Sequence, residues 1–125
     1  WGTFAECSSL ASITIPDSVT SIGPNAFSSC SSLTSVTIPK GVAVIEESAF
    51  YNCSGLTTIT IPSSVCVIGS LSFYGCSSLT SVTIHKSVTG IYSNAFNNCY
   101  KLNEVYYMGT EDQWNAINIY FGNDK

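Results

Sequence analysis

The sequence predicts a repeat solenoid, mainly β, with parallel strands from successive coils on one face and a short C-terminal capping helix. Three observations predict it. Apolar residues recur every 23 positions, they alternate with small hydroxyl residues inside each unit, and near the C-terminus the pattern gives way to a helix-start signal.

The repeat is read directly from the residues. Phenylalanine stands at Phe4, Phe27, Phe50, Phe73 and Phe96, and cysteine follows three places later at Cys7, Cys30, Cys53, Cys76 and Cys99. Leucine comes three places after that, at Leu10, Leu33, Leu56, Leu79 and Leu102. A β-branched column (Ile13, Val36, Ile59, Val82, Val105) precedes a second one at Ile15, Ile38, Ile61 and Ile84, with Tyr107 in fifth place. Valines 19, 42, 65 and 88 and isoleucines 22, 45, 68 and 91 complete the unit. Chance does not hold so many positions in phase, and a period of this size indicates stacked coils.

Each stretch of the unit has its own local logic. In Leu33-Thr34-Ser35-Val36-Thr37-Ile38, apolar and hydroxyl residues alternate with the period of two of a strand buried on one side. Pro16, Pro39 and Pro62 follow and end the strand, because proline has no N–H for a ladder. Val42 to Ile45 then predicts a second, narrow extended stretch, and Ala49-Phe50 turns the corner with a ring aimed at the core. Parallel strands about 4.8 Å apart make five coils a slab only about 25 Å long.

The ends depart from the repeat. Thr3-Phe4 matches Ala26-Phe27 without the strand that should precede it, so the chain is expected to continue a longer protein. A single solenoid over 1–125 is expected: the end of a truncated repeat at 1–6, four full repeats at 7–98, and the last coil with its cap at 99–125. Thr110-Glu111-Asp112-Gln113 has capping-box spacing, with acidic residues suited to the helix dipole. Trp114 and Ile117 lie on one face of that helix and are expected to cover the last coil.

Composition narrows the functions. The chain is 45% hydrophobic, enough for a continuous core, yet only 10% charged. The four basic residues are all lysines and the net charge is −4, which argues against nucleic acid and anionic lipid as partners. No apolar run is long enough to span a bilayer, and Trp1-Gly2-Thr3-Phe4 has neither the basic stretch nor the apolar block of a signal peptide.

The unit Cys30-Ser-Ser-Leu-Thr-Ser-Val-Thr-Ile-Pro, followed by Val42, Ile45 and Ala49-Phe50, resembles the repeat of the BspA-like leucine-rich-repeat family. Tyr106-Tyr107-Met108-Gly109-Thr110 with Gln113-Trp114 is similar to the end cap of such arrays. The resemblance covers essentially the whole chain. It implies a right-handed leucine-rich-repeat coil stack in a secreted or surface-attached bacterial or protist protein. It also implies adhesion to a host matrix protein, cell-surface protein or glycan, without identifying the ligand.

The cysteines and the catalytic candidates are weighed on chemistry. Five in-phase cysteines are expected in one buried column. Parallel coils leave their Cβ atoms near 4.8 Å rather than the ~3.8 Å of a disulfide, so free thiols packing as small hydrophobes are favoured. No Cys-x-x-Cys pair suggests a metal, and no metal or cofactor is expected. Cys66, between Val65 and Val67, is expected to face solvent, either as drift or as a cross-link to another chain. His85 replaces the strand-ending proline and is expected exposed at a turn. With serines everywhere, a neighbouring serine says nothing about a triad, and no catalytic residue is expected. Glu46-Glu47 and Glu111-Asp112 read as solvation and capping.

The outward strand positions remain. One column is Thr14, Thr37, Thr60, Thr83 and Tyr106; the other is Ser12, Ser35, Thr58, Ser81 and Glu104. Hydroxyl residues fill an exposed sheet readily. The sharper expectation is a docking face built on Ser35, Thr37, Thr58, Thr60, Ser81, Thr83 and Tyr106, weak per coil and strengthened by repetition. A structural spacer without a ligand is the alternative, and an ice-binding face a third.

Overall fold

The computed structural model describes residues 4–120, 122 and 123. The expectations resting on Trp1, Gly2 and Thr3, and on Phe121, Asp124 and Lys125 of the cap, lie outside the described residues. The chain is a parallel β-solenoid of about four turns with one short helix. In chain order the elements are β1 (Ser12–Thr14), β2 (Ser35–Thr37), β3 (Val44–Ile45), β4 (Thr58–Ile61), β5 (Val67–Ile68), β6 (Ser81–His85), β7 (Gly90–Ile91), β8 (Glu104–Met108), α1 (Glu111–Asn115) and β9 (Asn118–Ile119).

The 23-residue period becomes strand register. Thr58, Ile59, Thr60 and Ile61 of β4 pair with Ser81, Val82, Thr83 and Ile84 of β6, and Ser81, Val82 and Thr83 with Glu104, Val105 and Tyr106 of β8. The second narrow stretch is real: β3, β5, β7 and β9 form their own parallel sheet. The main face, by contrast, is two panels, β1-β2 and β4-β6-β8. Between them the Thr57 N–H reaches the Thr34 carbonyl at 3.3 Å, against 3.0 Å one coil earlier and 2.9 Å one coil later.

The core is made of files, each one residue of the repeat stacked on its counterparts. The rings of Phe4, Phe27, Phe50, Phe73 and Phe96 stack at centroid spacings of 5.2 to 5.4 Å with planes within 6°. Offset stacking at such spacing is favourable for aromatic pairs. Beside it run the buried leucines 33, 56 and 79 and isoleucines 45 and 68. At the corners the backbone takes positive φ twice per coil, which lets it turn while its N–H groups reach the next coil, as Phe27 N–H does to Ala49 O at 2.8 Å.

Two neighbours in one turn break the rules of their own files. Leu71 sits at φ 58°, where Asn25 and Asn94 hold the corresponding place in their coils and tolerate the left-handed region better. Ser72 stands where Ala26, Ala49 and Ala95 stand elsewhere; it is fully buried, and its hydroxyl has no hydrogen-bond partner among the described residues. A buried orphan hydroxyl costs about 1–3 kcal/mol. Ser72→Ala, which restores the repeat's own residue, is therefore expected to stabilise the fold by about 1–3 kcal/mol. Urea denaturation checks this, and an unchanged or lowered midpoint would contradict it.

The C-terminal end is organised differently from the simple cap expected. The capping box is present: Gln113 N–H donates to Thr110 Oγ1 at 3.1 Å and Thr110 N–H to Gln113 Oε1 at 2.9 Å. Yet α1 is an insertion. Val67 pairs with Gly90, 23 positions on, whereas Gly90 pairs with Asn118, 28 on, and the five extra residues equal the length of the helix. No helix residue is buried; Trp114 is half-buried against Tyr107, and Ile117, past the helix end, is the residue that goes into the core. Val105 keeps the repeat's phase but is 46% exposed, because among the described residues no further strand pairs beyond β8. A hollow of about 270 Å³ remains there, bounded by Val82, Phe96, Leu102, Val105 and Trp114.

One residue finishes the ladder. Where Phe73 N–H donates to the backbone carbonyl of Ala95, Phe96 N–H donates to the side-chain Oδ1 of Asn123 at 3.0 Å. The amide takes the place that a backbone carbonyl holds in the preceding coils and satisfies the donor.

Candidate ligand-binding face

The cysteine file is structural. Cys30, Cys53 and Cys76 are buried, Cys7 and Cys99 partly so, and all six cysteines are free thiols. Each thiol does more than fill space. Cys30, Cys53, Cys76 and Cys99 donate from Sγ to the carbonyls of Phe4, Phe27, Phe50 and Phe73, at 2.9, 3.1, 3.3 and 3.1 Å. The sulfur thus ties each coil to the one before it. Burial pushes the Cys53 thiol up to about 12, with the Cys30 sulfur adding to the effect. Contact with the Cys99 sulfur and burial raise Cys76 as well. Such thiols stay protonated and inert at neutral pH. Cys66 lies at the surface, as its place in the unit predicts.

His85 differs from expectation. It is half-buried and within a strand, since histidine, unlike proline, has an N–H that lets β6 run on to pair with Met108. Its Nδ1 accepts from Ser87 N–H at 3.3 Å.

The two outward columns lie side by side on the main face. Ser35, Thr37, Thr58 and Thr60 are exposed, and Ser81 and Thr83 half-exposed. None of these six hydroxyls has a hydrogen-bond partner among the described residues. Just before them, Thr34, Thr57 and Thr80 each donate from Oγ1 to the carbonyl of the preceding coil, at 3.2 to 3.3 Å. One threonine file holds coils together, then, and two hydroxyl files are left to the solvent. The step between β2 and β4 divides the face, so Ser35 and Thr37 stand on one panel and the other four on the next.

Tyr106 ends the threonine column. It is 55% exposed, and its hydroxyl donates to the Glu104 carboxylate, which raises the phenol above its ordinary value. It does not fold back on the cap; the ring that meets Trp114 is Tyr107, at 5.1 Å.

A second set of aromatics lies at the corner after the phenylalanine file, and sequence reasoning passed over it. Tyr51 and Tyr74 stack at 5.2 Å, and the Tyr74 hydroxyl accepts from Asn98 Nδ2 at 2.7 Å. Tyr92 meets Tyr120 edge-on at 4.9 Å, and Tyr100 is 79% exposed. The signal was available, since Tyr51 and Tyr74 follow Phe50 and Phe73 in phase.

Comparison with known proteins places the architecture. The family model described as the BspA type leucine rich repeat region matches residues 2–119 in six copies. A leucine rich cell surface protein from Faecalibacterium prausnitzii is 41% identical, with a TM-score of 0.90 over 92% of this chain and 30% of its own. A leucine-rich repeat protein from Bacteroides ovatus is 35% identical, with a TM-score of 0.81 over 85% of this chain and 27% of its own. The T. pallidum leucine rich repeat protein is 28% identical, with a TM-score of 0.72 over 95% and 63%. The chain spans less than a third of the first two proteins. No curated protein matches the sequence. Matched by that family model over nearly its whole length, and coiled as these bacterial proteins are, the chain belongs to the BspA-type leucine-rich-repeat family.

Proposed function

We propose that the chain is a non-catalytic binding module of a secreted or cell-surface protein. It mediates adhesion through the solvent side of the main parallel sheet. The partner is a host matrix protein, a cell-surface protein or a glycan. The observation that carries this reading is the division of labour among the hydroxyl files. Thr34, Thr57 and Thr80 are spent on coil-to-coil hydrogen bonds, while Ser35, Thr37, Thr58, Thr60, Ser81 and Thr83 keep donors and acceptors available in a regular array. Tyr106, fixed by Glu104 at the end of the array, supplies the aromatic anchor that the columns otherwise lack. The similarity to a bacterial leucine rich cell surface protein supports the location. Such a face binds weakly per coil and gains from many coils or copies.

The test is binding of the immobilised protein to a panel of host matrix proteins and glycans, beside a variant carrying Thr37→Lys, Thr60→Lys and Thr83→Lys. Saturable binding should weaken by about tenfold or more in the variant, a loss of about 1.4 kcal/mol. The thermal transition should hold, since the three side chains face outward. Absence of binding across the panel would favour a spacer that holds other domains away from the cell.

A further inference from the structure

We infer that the boundary between β2 and β4 is a hinge, about which the two panels of the main face open and close while the opposite side of the coil stack holds. It goes beyond the adhesion reading, since it concerns how the same face moves, and its test uses no ligand. Three sets of observations meet at this boundary. First, the main ladder is interrupted there. Among the described residues β1 pairs with β2, β4 with β6 and β6 with β8, but no pairing joins β2 to β4. The backbone bond that leads into the break, from Thr57 N–H to the Thr34 carbonyl, is stretched to 3.3 Å. Val36 feels the same gap. It has a strand on either side and is still only half-buried, whereas Ile59 and Val82, at its place in the next two coils, are 3% and 1% exposed. An unpaired strand edge leaves backbone donors and acceptors to water, and such places open at the lowest cost.

Second, the ties on the opposite side of the same two coils are intact. Ile22, Ile45, Ile68 and Ile91 run through in register. Gly69 N–H donates to the Ile45 carbonyl at 2.7 Å, Cys66 N–H to that of Ala43 at 2.8 Å, and Ser64 Oγ to that of Val42 at 2.7 Å. In the core Phe27 stacks on Phe50 at 5.3 Å, and the Cys53 thiol donates to the Phe27 carbonyl at 3.1 Å. One side fastened and the other unpaired is the geometry of a hinge.

Third, β4 leaves the boundary from a pinch. Gly55 stands where Ser9, Ser32 and Ser78 stand in other coils. A Cβ at Gly55 would lie 2.6 Å from the Ser31 carbonyl oxygen and 3.3 Å from that of Leu33, so the two coils are pressed together just before their strands part. Glycine at that place admits the close approach and has the backbone freedom to absorb a change of angle. Ser35 and Thr37 ride on one panel, and Thr58, Thr60, Ser81 and Thr83 on the other. A partner that touches both panels must hold them at one angle, and its grip falls with the population of that angle.

The experiment is amide hydrogen exchange of the labelled protein, read residue by residue. At least one amide of β4 is expected to exchange about a hundredfold faster, or more, than the amide 23 positions on in β6. Two double variants then separate a hinge from a fixed gap. Thr37→His with Thr60→His spans the boundary, and Thr60→His with Thr83→His lies within one panel. Outward histidines on neighbouring strands can share a Ni(II) ion. Ni(II) on the first pair should hold the panels closed and slow the fast β4 amides by about tenfold or more. On the second pair, and on the wild type, it should leave them fast. Equal protection of β4 and β6 in the wild type overturns the hinge. Fast exchange that Ni(II) bound to the first pair leaves unaltered also overturns it, because the panels are then fixed apart. Ni(II) taken by the second pair and refused by the first has the same meaning. Failure of the adhesion reading shows separately, as absence of binding across the matrix and glycan panel.

Discussion

Phe50→Ala is expected to cost about 3–5 kcal/mol of folding stability, the range for a large aromatic removed from a packed core. For a domain with a total of about 5–15 kcal/mol, that is a large share. Phe50 is fully buried and sits between Phe27 at 5.3 Å and Phe73 at 5.2 Å, so its loss removes two ring contacts at once. The space cannot easily close, because both neighbours are held in register by their own coils. The backbone carbonyl of Phe50 also receives the Cys76 thiol, so a relaxing coil would loosen that link too. In a solenoid the coils interact only with neighbours, so a break in the middle separates the two halves energetically. Urea unfolding of the variant should become broader or biphasic as well as shifted. Phe4→Ala is the comparison: Phe4 is 37% exposed with one stacked neighbour, and its truncation should cost clearly less. Equal costs for the two variants would show that the file does not hold the array together as described.

The coil itself was legible because phase repeats. Once Phe, Cys and Leu fall every 23 residues, strand register follows, and so does the inward face. The helix start was legible for a different reason: Thr110 and Gln113 satisfy each other's backbone groups locally, with no need of the rest of the fold. What phase does not carry is what lies on either side of a coil. Val105 is in step with Val82, yet one is 46% exposed and the other 1%, since burial depends on a further coil above. The thiol–carbonyl links were invisible for the same reason, joining residues 26 apart that only the coil's pitch brings together. Asn123 replaces a backbone carbonyl with a side-chain one, a substitution that no residue pattern announces. For the candidate face, the columns were legible, but not which hydroxyls are spent. Thr57 and Thr58 are adjacent threonines of the same strand region, and only the structure shows one bonded to the previous coil and the other open.

The cysteine file predicts a second large effect, this time through pH. Cys53 has an ordinary value of 9.0, raised by burial and the Cys30 sulfur to about 12 in the folded protein. Below the lower value, both folded and unfolded chains hold the proton, and its contribution to stability is fully present. Between the two, the unfolded chain releases the proton while the folded one keeps it, so stability falls by about 1.4 kcal/mol per pH unit for this thiol. The full span amounts to about 4 kcal/mol. Cys76 is raised by contact with Cys99 and by burial; the same contact lowers Cys99 and so cancels between the two, which leaves the burial of Cys76 acting in the same direction. Urea midpoints measured under reducing conditions from pH 8 to pH 11 should therefore drop steeply above about pH 9. Cys53→Ala isolates the contribution of this thiol. That variant should be less stable at pH 7, having lost its packing and its hydrogen bond to Phe27. Its alkaline slope should nonetheless be shallower than the wild type's by about 1.4 kcal/mol per unit. Parallel slopes would mean that Cys53 ionises as easily in the folded chain as in the unfolded one, which a fully buried sulfur bonded to a backbone carbonyl cannot do without coming loose from the preceding coil.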